Sequence, residues 1–159
     1  MSITLQPGEI KRVDVVMTPL TTGWLSPVNH DGSDKAWQNP QYAYDGNLNT
    51  YARTAMRSTR LRLGTAGIAP LVSKVRLFCG TAIDSGYQDA DIDVIVYDYD
   101  EGPDIRIFEG IIPALQWVEI PLDKVRAVYD ISVKWNDFHG GRYGDLYELQ
   151  YEALLLTEA

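Results

Sequence analysis

Apolar and polar residues alternate along most of this chain with a period of two, in short segments parted by Gly, Pro, Asn and Asp. That spacing puts one face of a β-strand into a core and the other into water. Val13, Val15 and Met17 predict an opening strand. Thr18 to Pro40 reads as a long polar loop carrying Trp24, His30 and Trp37, and such a loop is functional or tied down by its own side chains. Leu61 and Leu63 mark a strand flanked by Arg60 and Arg62; in the next, Val75, Leu77 and Cys79 face one way, Lys74 and Arg76 the other. Asp91 to Tyr99 and Ile105 to Glu109 form a hairpin, because Asp100, Glu101, Gly102 and Pro103 are turn formers. A short strand over Gln116 to Ile120 precedes the most regular one, Val125 to Trp135, where Val125, Ala127, Tyr129, Ile131, Val133 and Trp135 share a face. Leu146 to Leu156 closes the fold with Tyr147, Leu149, Tyr151, Ala153 and Leu155 inward.

No window shows a helical stripe. About eight strands with long loops predict an all-β fold, an antiparallel β-sandwich of the jelly-roll kind, with residues 1–159 as a single domain. Ten tyrosines suit pleated strands and wet binding surfaces. A net charge of -8 argues against nucleic acid, whose backbone demands a basic footprint, and against anionic membranes, which attract Lys/Arg clusters. Cys79 is the only cysteine, so no intramolecular disulfide forms. The start lacks a basic segment leading into an apolar one, and Leu154 to Leu156 is far too short to span a bilayer. A soluble chain is expected, with its location open between cytoplasm, virion and the extracellular space.

Pro40 to Ala52, PQYAYDGNLNTYA, holds the densest cluster of side-chain oxygens: Asp45, Asn47 and Asn49 alternate around Gly46, and Thr50 adds a hydroxyl. A tight Asp-Gly turn can point several oxygens inward, as hard cations such as calcium require; an Asx turn closed by its own hydrogen bonds is the alternative. An EF-hand loop begun at Asp45 needs Gly sixth and Glu twelfth, where Thr50 and Met56 stand, so that loop is excluded. Tyr42, Ala43, Tyr44, Asp45, Gly46, Asn47, Thr50 and Tyr51 follow an order that resembles the signature near the start of discoidin domains, also called coagulation factor type C or galactose-binding-like modules. Tyr51 replaces the family's usual Trp. Val125 to Tyr151 resembles the family's last two strands, with Glu148, Leu149, Gln150 and Tyr151 in the closing places.

The resemblance implies a galactose-binding-like fold and a non-catalytic carbohydrate-binding module whose partner is a glycan or polysaccharide. It also implies a structural calcium clasp made by Asp45, Asn47, Thr50 and Glu148, with carbonyls such as that of Tyr42. Sugar recognition uses an aromatic face and a few planar or cationic hydrogen-bonding groups. Trp24, His30 and Trp37 offer that mixture in the first loop; Asn136, Phe138, His139, Arg142 and Tyr143 offer it in a later one. The alternative for a loop Trp, above all Trp37, is a plug onto the sandwich end, and for Arg142 an ion pair with a nearby Asp. Catalysis is not expected: there are two histidines and no Gly-x-Ser-x-Gly elbow. The acidic tracts Asp89, Asp91, Asp93 and Asp98, Asp100, Glu101, Asp104 read as a solvated strand face and a hairpin cap. A different class of function remains, a structural, adaptor or attachment module of a phage virion or other surface assembly, with further subunits as partners.

Overall fold

The computed structural model describes residues 20–31 and 35–156. Strands β1 (Leu20–Leu25), β2 (Asn29–His30) and β3 (Trp37–Gln38) precede a short 3-10 turn, η1 (Pro40–Tyr44). Then come β4 (Ala52–Thr54), β5 (Leu61–Gly64), β6 (Leu71–Ile83), β7 (Gly86–Gln88), β8 (Ala90–Asp98), β9 (Gly102–Ile112), β10 (Trp117–Asp137) and β11 (Tyr143–Leu156). All pairings are antiparallel. In one layer β6 lies between β11 and the first half of β10, with β1 and β4 along β11. In the other, β5 and β8 flank the second half of β10, with β2 outside β5 and β9 outside β8. β10 therefore stitches the two layers together.

Between the layers lies the core. Leu61, Leu63, Val75, Leu77, Cys79, Ile92, Val94, Val96, Ile131, Val133, Trp135, Leu149 and Tyr151 are buried there, each large side chain contributing about 1.5–3 kcal/mol by leaving water. The alternation read from β5 and β6 holds, with Lys74 and Arg76 on the outer face of β6. Burial pushes the Cys79 thiol well above its ordinary pKa, so it is an inert core group. Trp135 lies flat over Gly144, where an added Cβ would meet the indole at 2.5 Å; only glycine permits that approach. The hairpin read between Asp91 and Glu109 is β8 and β9, and Asp98 caps it by accepting the backbone N–H groups of Asp100 and Glu101.

Several expectations need correction. The described residues form eleven strands rather than about eight, because four of them are only two or three residues long. Thr18 to Pro40 is no continuous loop: β1 pairs with β11, β2 with β5 and β3 with β4. The strands read at Gln116 to Ile120 and Val125 to Trp135 merge into one, β10, which begins at Trp117, and its bulges move the inward face. Arg126 and Val128 are buried, Val125 and Tyr129 are exposed, and burial returns to the other parity at Ile131 after a register shift between Val128 and Asp130. A shift between Leu146 and Glu148 likewise turns Tyr147 outward, where its ring meets Tyr51, Phe78 and Tyr87. The acidic tracts are not wholly solvated either. Asp93 is buried against Arg106, Lys134 and Asn136, and Asp98 against Arg126. The opening strand at Val13 to Met17 and the Leu155 side chain lie outside the described residues.

Candidate functional site

The side chains expected to bind ligand fall in separate places. Trp37 enters the core, 4% exposed, with its ring 5.8 Å from Trp135 and its indole N–H donating to the Thr59 carbonyl. Trp24 lies on β1, where its ring receives the Arg76 guanidinium at 4.2 Å; the same guanidinium stacks on Trp117 at 4.5 Å. Asn136 donates to Asp93, and His139 Nε2 lies 2.8 Å from an Asp91 carboxylate oxygen, so these two stand near the same end of β8. Arg142 pairs with Asp84 at 2.6 Å on the surface. Tyr143 stacks on the Arg53 guanidinium at 4.3 Å. Of the seven, His30 lines a sizeable cavity.

That cavity, about 510 Å³, lies against the outer side of the layer formed by β2, β5, β10 and β8. Each wall follows from local structure. Asn29 and His30 arrive because β2 pairs with Gly64 and Leu63. The Asn29 side chain lies directly over Gly64, where an added Cβ would meet its Oδ1 at 2.0 Å. His30 Nδ1 shares a 2.7 Å hydrogen bond with the Tyr44 hydroxyl, which fixes the ring and leaves Nε2 without a partner among the described residues. Arg62 alternates outward between the core residues Leu61 and Leu63 and lines the cavity, and its carbonyl accepts the Asp31 N–H at 3.1 Å. Thr65 Oγ1 donates to the carbonyls of Val128 and Tyr129, pinning the β10 bulge so that Tyr129 stands outward. Its ring meets Tyr97 edge to face at 5.4 Å and Tyr99 at 5.2 Å.

Asp130 stands on the cavity floor, opposite both Gly64 and Tyr97 in the strand register. Burial raises its pKa, against the opposing pull of Arg62 and Arg60. The site thus joins an aromatic wall to the Arg62 guanidinium, the His30 imidazole, the Asn29 amide and two carboxylates, Asp31 and Asp130. Such groups can grip vicinal hydroxyls while the rings cover the C–H face of a sugar. Sequence reasoning missed Asn29, Arg62, Tyr97, Tyr129 and Asp130. The outward Arg62 was legible in the alternation; Tyr129 was concealed by the bulge.

The Asp45 turn forms a separate centre, joined to β11 across the whole sequence. Gly46 N–H donates to Glu148 Oε1 at 2.7 Å. Asp45 accepts the Asn47 N–H at 3.0 Å and the Thr50 hydroxyl at 2.5 Å, and Asn47 Oδ1 accepts the Asn49 N–H at 2.9 Å. Glu148 is buried and its Oε2 has no hydrogen-bond partner. Burial, with the adjoining Asp45 side chain, pushes its pKa up to about 7. For Asp45 burial acts upward too, but hydrogen bonds from the Thr50 hydroxyl and the Asn47 backbone N–H help bring its pKa below the ordinary value. No group of three or more His, Cys, Asp or Glu side chains suited to a metal occurs among the described residues. An orphaned buried carboxylate oxygen beside a second carboxylate nevertheless suits a hard cation that completes its shell with carbonyl, amide and hydroxyl oxygens.

No family model matches the sequence, and comparison with curated proteins gives no match. Solved structures do match. A family 32 carbohydrate-binding module of NanJ from C. perfringens, in complex with galactose, is 17% identical, with 84% of this chain and 93% of that chain covered and a TM-score of 0.57. The family 32 module of AlyQ, in complex with 4,5-unsaturated mannuronic acid, is 12% identical over 87% of this chain and 95% of that chain, with a TM-score of 0.56. A fucose-binding module of Streptococcus pneumoniae is 19% identical over 84% and 89%, with a TM-score of 0.50. The chain has the β-sandwich fold of these modules, the galactose-binding-like, discoidin-type fold.

Proposed function

We propose that this chain is a non-catalytic carbohydrate-binding module and that the sugar is held in the cavity walled by His30, Arg62, Tyr97, Tyr129 and Asp130. One observation carries the reading: an outward guanidinium, a half-buried carboxylate and an oriented imidazole converge beside a tyrosine pair in a cavity of about 510 Å³. That is a size suited to small ligands. Arg62 and the imidazole donate to ring hydroxyls, Asp130 and Asn29 accept from them, and Tyr129 covers the apolar side of the ring. The sugars in the matched complexes support the ligand class, with this chain's own residues as the basis. Calcium, in this reading, is bound by Asp45 and Glu148, with Asn47, Thr50 and nearby carbonyls, and supplies two positive charges that neutralise the paired carboxylates. It clasps the start of the sandwich to its last strand and has no part in sugar contact.

A glycan array followed by calorimetric titration tests the proposal. Neutral galactosides or fucosides should bind, Arg62→Ala should weaken that binding at least tenfold, and the oligosaccharides should remain intact. Silence across the array contradicts it. A second reading, an attachment module in a larger assembly, draws on β9, which pairs only with β8 among the described residues and leaves Ile111 61% exposed. Light scattering separates the two, since a stable trimer or ring favours assembly and a monomer favours a tethered module.

A further inference from the structure

A second cavity, about 290 Å³, is lined by Gln38, Asn39, Tyr42, Asn49, Tyr51 and Arg53, together with Thr50. Its chemistry differs from that of the first. The amides of Gln38, Asn39 and Asn49 and the hydroxyls of Tyr42 and Tyr51 make no side-chain hydrogen bond to a described residue. Arg53 is the single charged group in the lining, and its charge is already committed. Its Nε and Nη2 each donate to Asp145 at 2.7 Å, and the Asp145 side chain is fully buried. The guanidinium is held flat between Tyr51 at 4.9 Å and Tyr143 at 4.3 Å. What remains for a ligand is a neutral surface rich in planar amides, with two half-buried tyrosine rings beside them.

We propose that this cavity is a second glycan site, taking one neutral pyranose unit. Planar amides both donate and accept, so a pair of them can satisfy adjacent hydroxyls without a charged partner. An anionic sugar gains little net charge attraction here, because the Asp145 carboxylate already neutralises the guanidinium. The inference goes beyond the proposed function, since it rests on different residues and makes the chain bivalent. Two sites on one small domain raise the apparent affinity for a polysaccharide above that of either alone.

Calorimetry and amide-shift mapping with methyl β-galactoside, methyl β-glucoside and L-fucose, with galacturonate as the anionic control, test the proposal. At least one neutral sugar should bind with two sites per chain, shifting the Gln38, Asn49 and Tyr51 amides as well as those of the first cavity. The double variant Gln38→Ala with Asn39→Gly should lose at least tenfold affinity at this site alone. Glycine suits position 39, whose backbone is left-handed at φ 51°, so the melting temperature should hold. Galacturonate should leave the second set of amides unmoved. Binding confined to the first cavity, with an isotherm indifferent to the double variant, overturns the second site and leaves the proposed function standing. No shift anywhere with any sugar overturns both.

Discussion

Arg62, a proposed sugar ligand, and Trp37, a core side chain, differ in their neighbouring chemistry. Arg62 alternates with two core leucines, so removing its guanidinium should leave the fold intact. A hydrogen bond to a charged group is worth about 1.5–3 kcal/mol, and Arg62→Ala should therefore weaken sugar binding by roughly ten- to a hundredfold at an unchanged denaturation midpoint. Trp37 behaves oppositely. Its ring fills the core against Trp135, so Trp37→Ala should cost about 3–5 kcal/mol in chemical denaturation. A Trp37→Ala variant that keeps its stability and loses affinity instead would contradict its placement. Tryptophan in a polar stretch is ambiguous by composition alone; the pairing of β3 with β4 decides the matter, and that pairing is set by residues far along the chain.

At the scale of elements, β10 carries the most consequence. Where it passes from one layer to the other, Arg126 is buried among Asp98, Glu101 and Asp123, with Nη1 at 2.9 Å from Asp98 and Nη2 at 2.9 Å from Asp123. Removing one partner of a buried ion cluster costs about 3–5 kcal/mol, so Arg126→Met should lose about that much. The pH dependence has a definite sign. Burial acts to raise the Asp98 pKa, but hydrogen bonds from Arg126 and from the Glu101 and Asp100 backbone bring it below the ordinary carboxylate value. Its contribution is therefore present above an unfolded pKa near ~3.9 and is lost as pH falls through the lower folded value. Acid titration of stability should be flatter in Arg126→Met than in the parent chain. The Asp45 turn and β11 form the second consequential pair. Calcium should raise the melting temperature in proportion to the logarithm of its concentration, and Glu148→Gln should abolish most of that shift. An equal shift in the variant contradicts the clasp.

For the whole molecule, the all-β sandwich was legible because alternation is local: Leu61 with Leu63, and Val75 with Leu77 and Cys79, announce their inward faces within five residues. The Asp45 motif and the Glu148 segment were legible as separate pieces, and the fold joins them where the Gly46 N–H donates to the Glu148 carboxylate. Bulges were not legible. A register shift near Tyr129 exchanges the faces of β10 and is held by Thr65, the residue that follows β5, which no local pattern reports. The candidate cavity shares that limit, since Asn29, Arg62, Tyr97 and Asp130 come from four strands and only strand pairing brings them together. The central claim is that a sugar occupies the cavity between β2, β5, β10 and β8. A crystal structure of the chain with calcium and a bound galactoside tests it most directly. Sugar density against Tyr129, within hydrogen-bond reach of Arg62 and Asp130, is the predicted result; sugar held only at the Asn136 to Tyr143 loop, with that cavity filled by solvent, contradicts it.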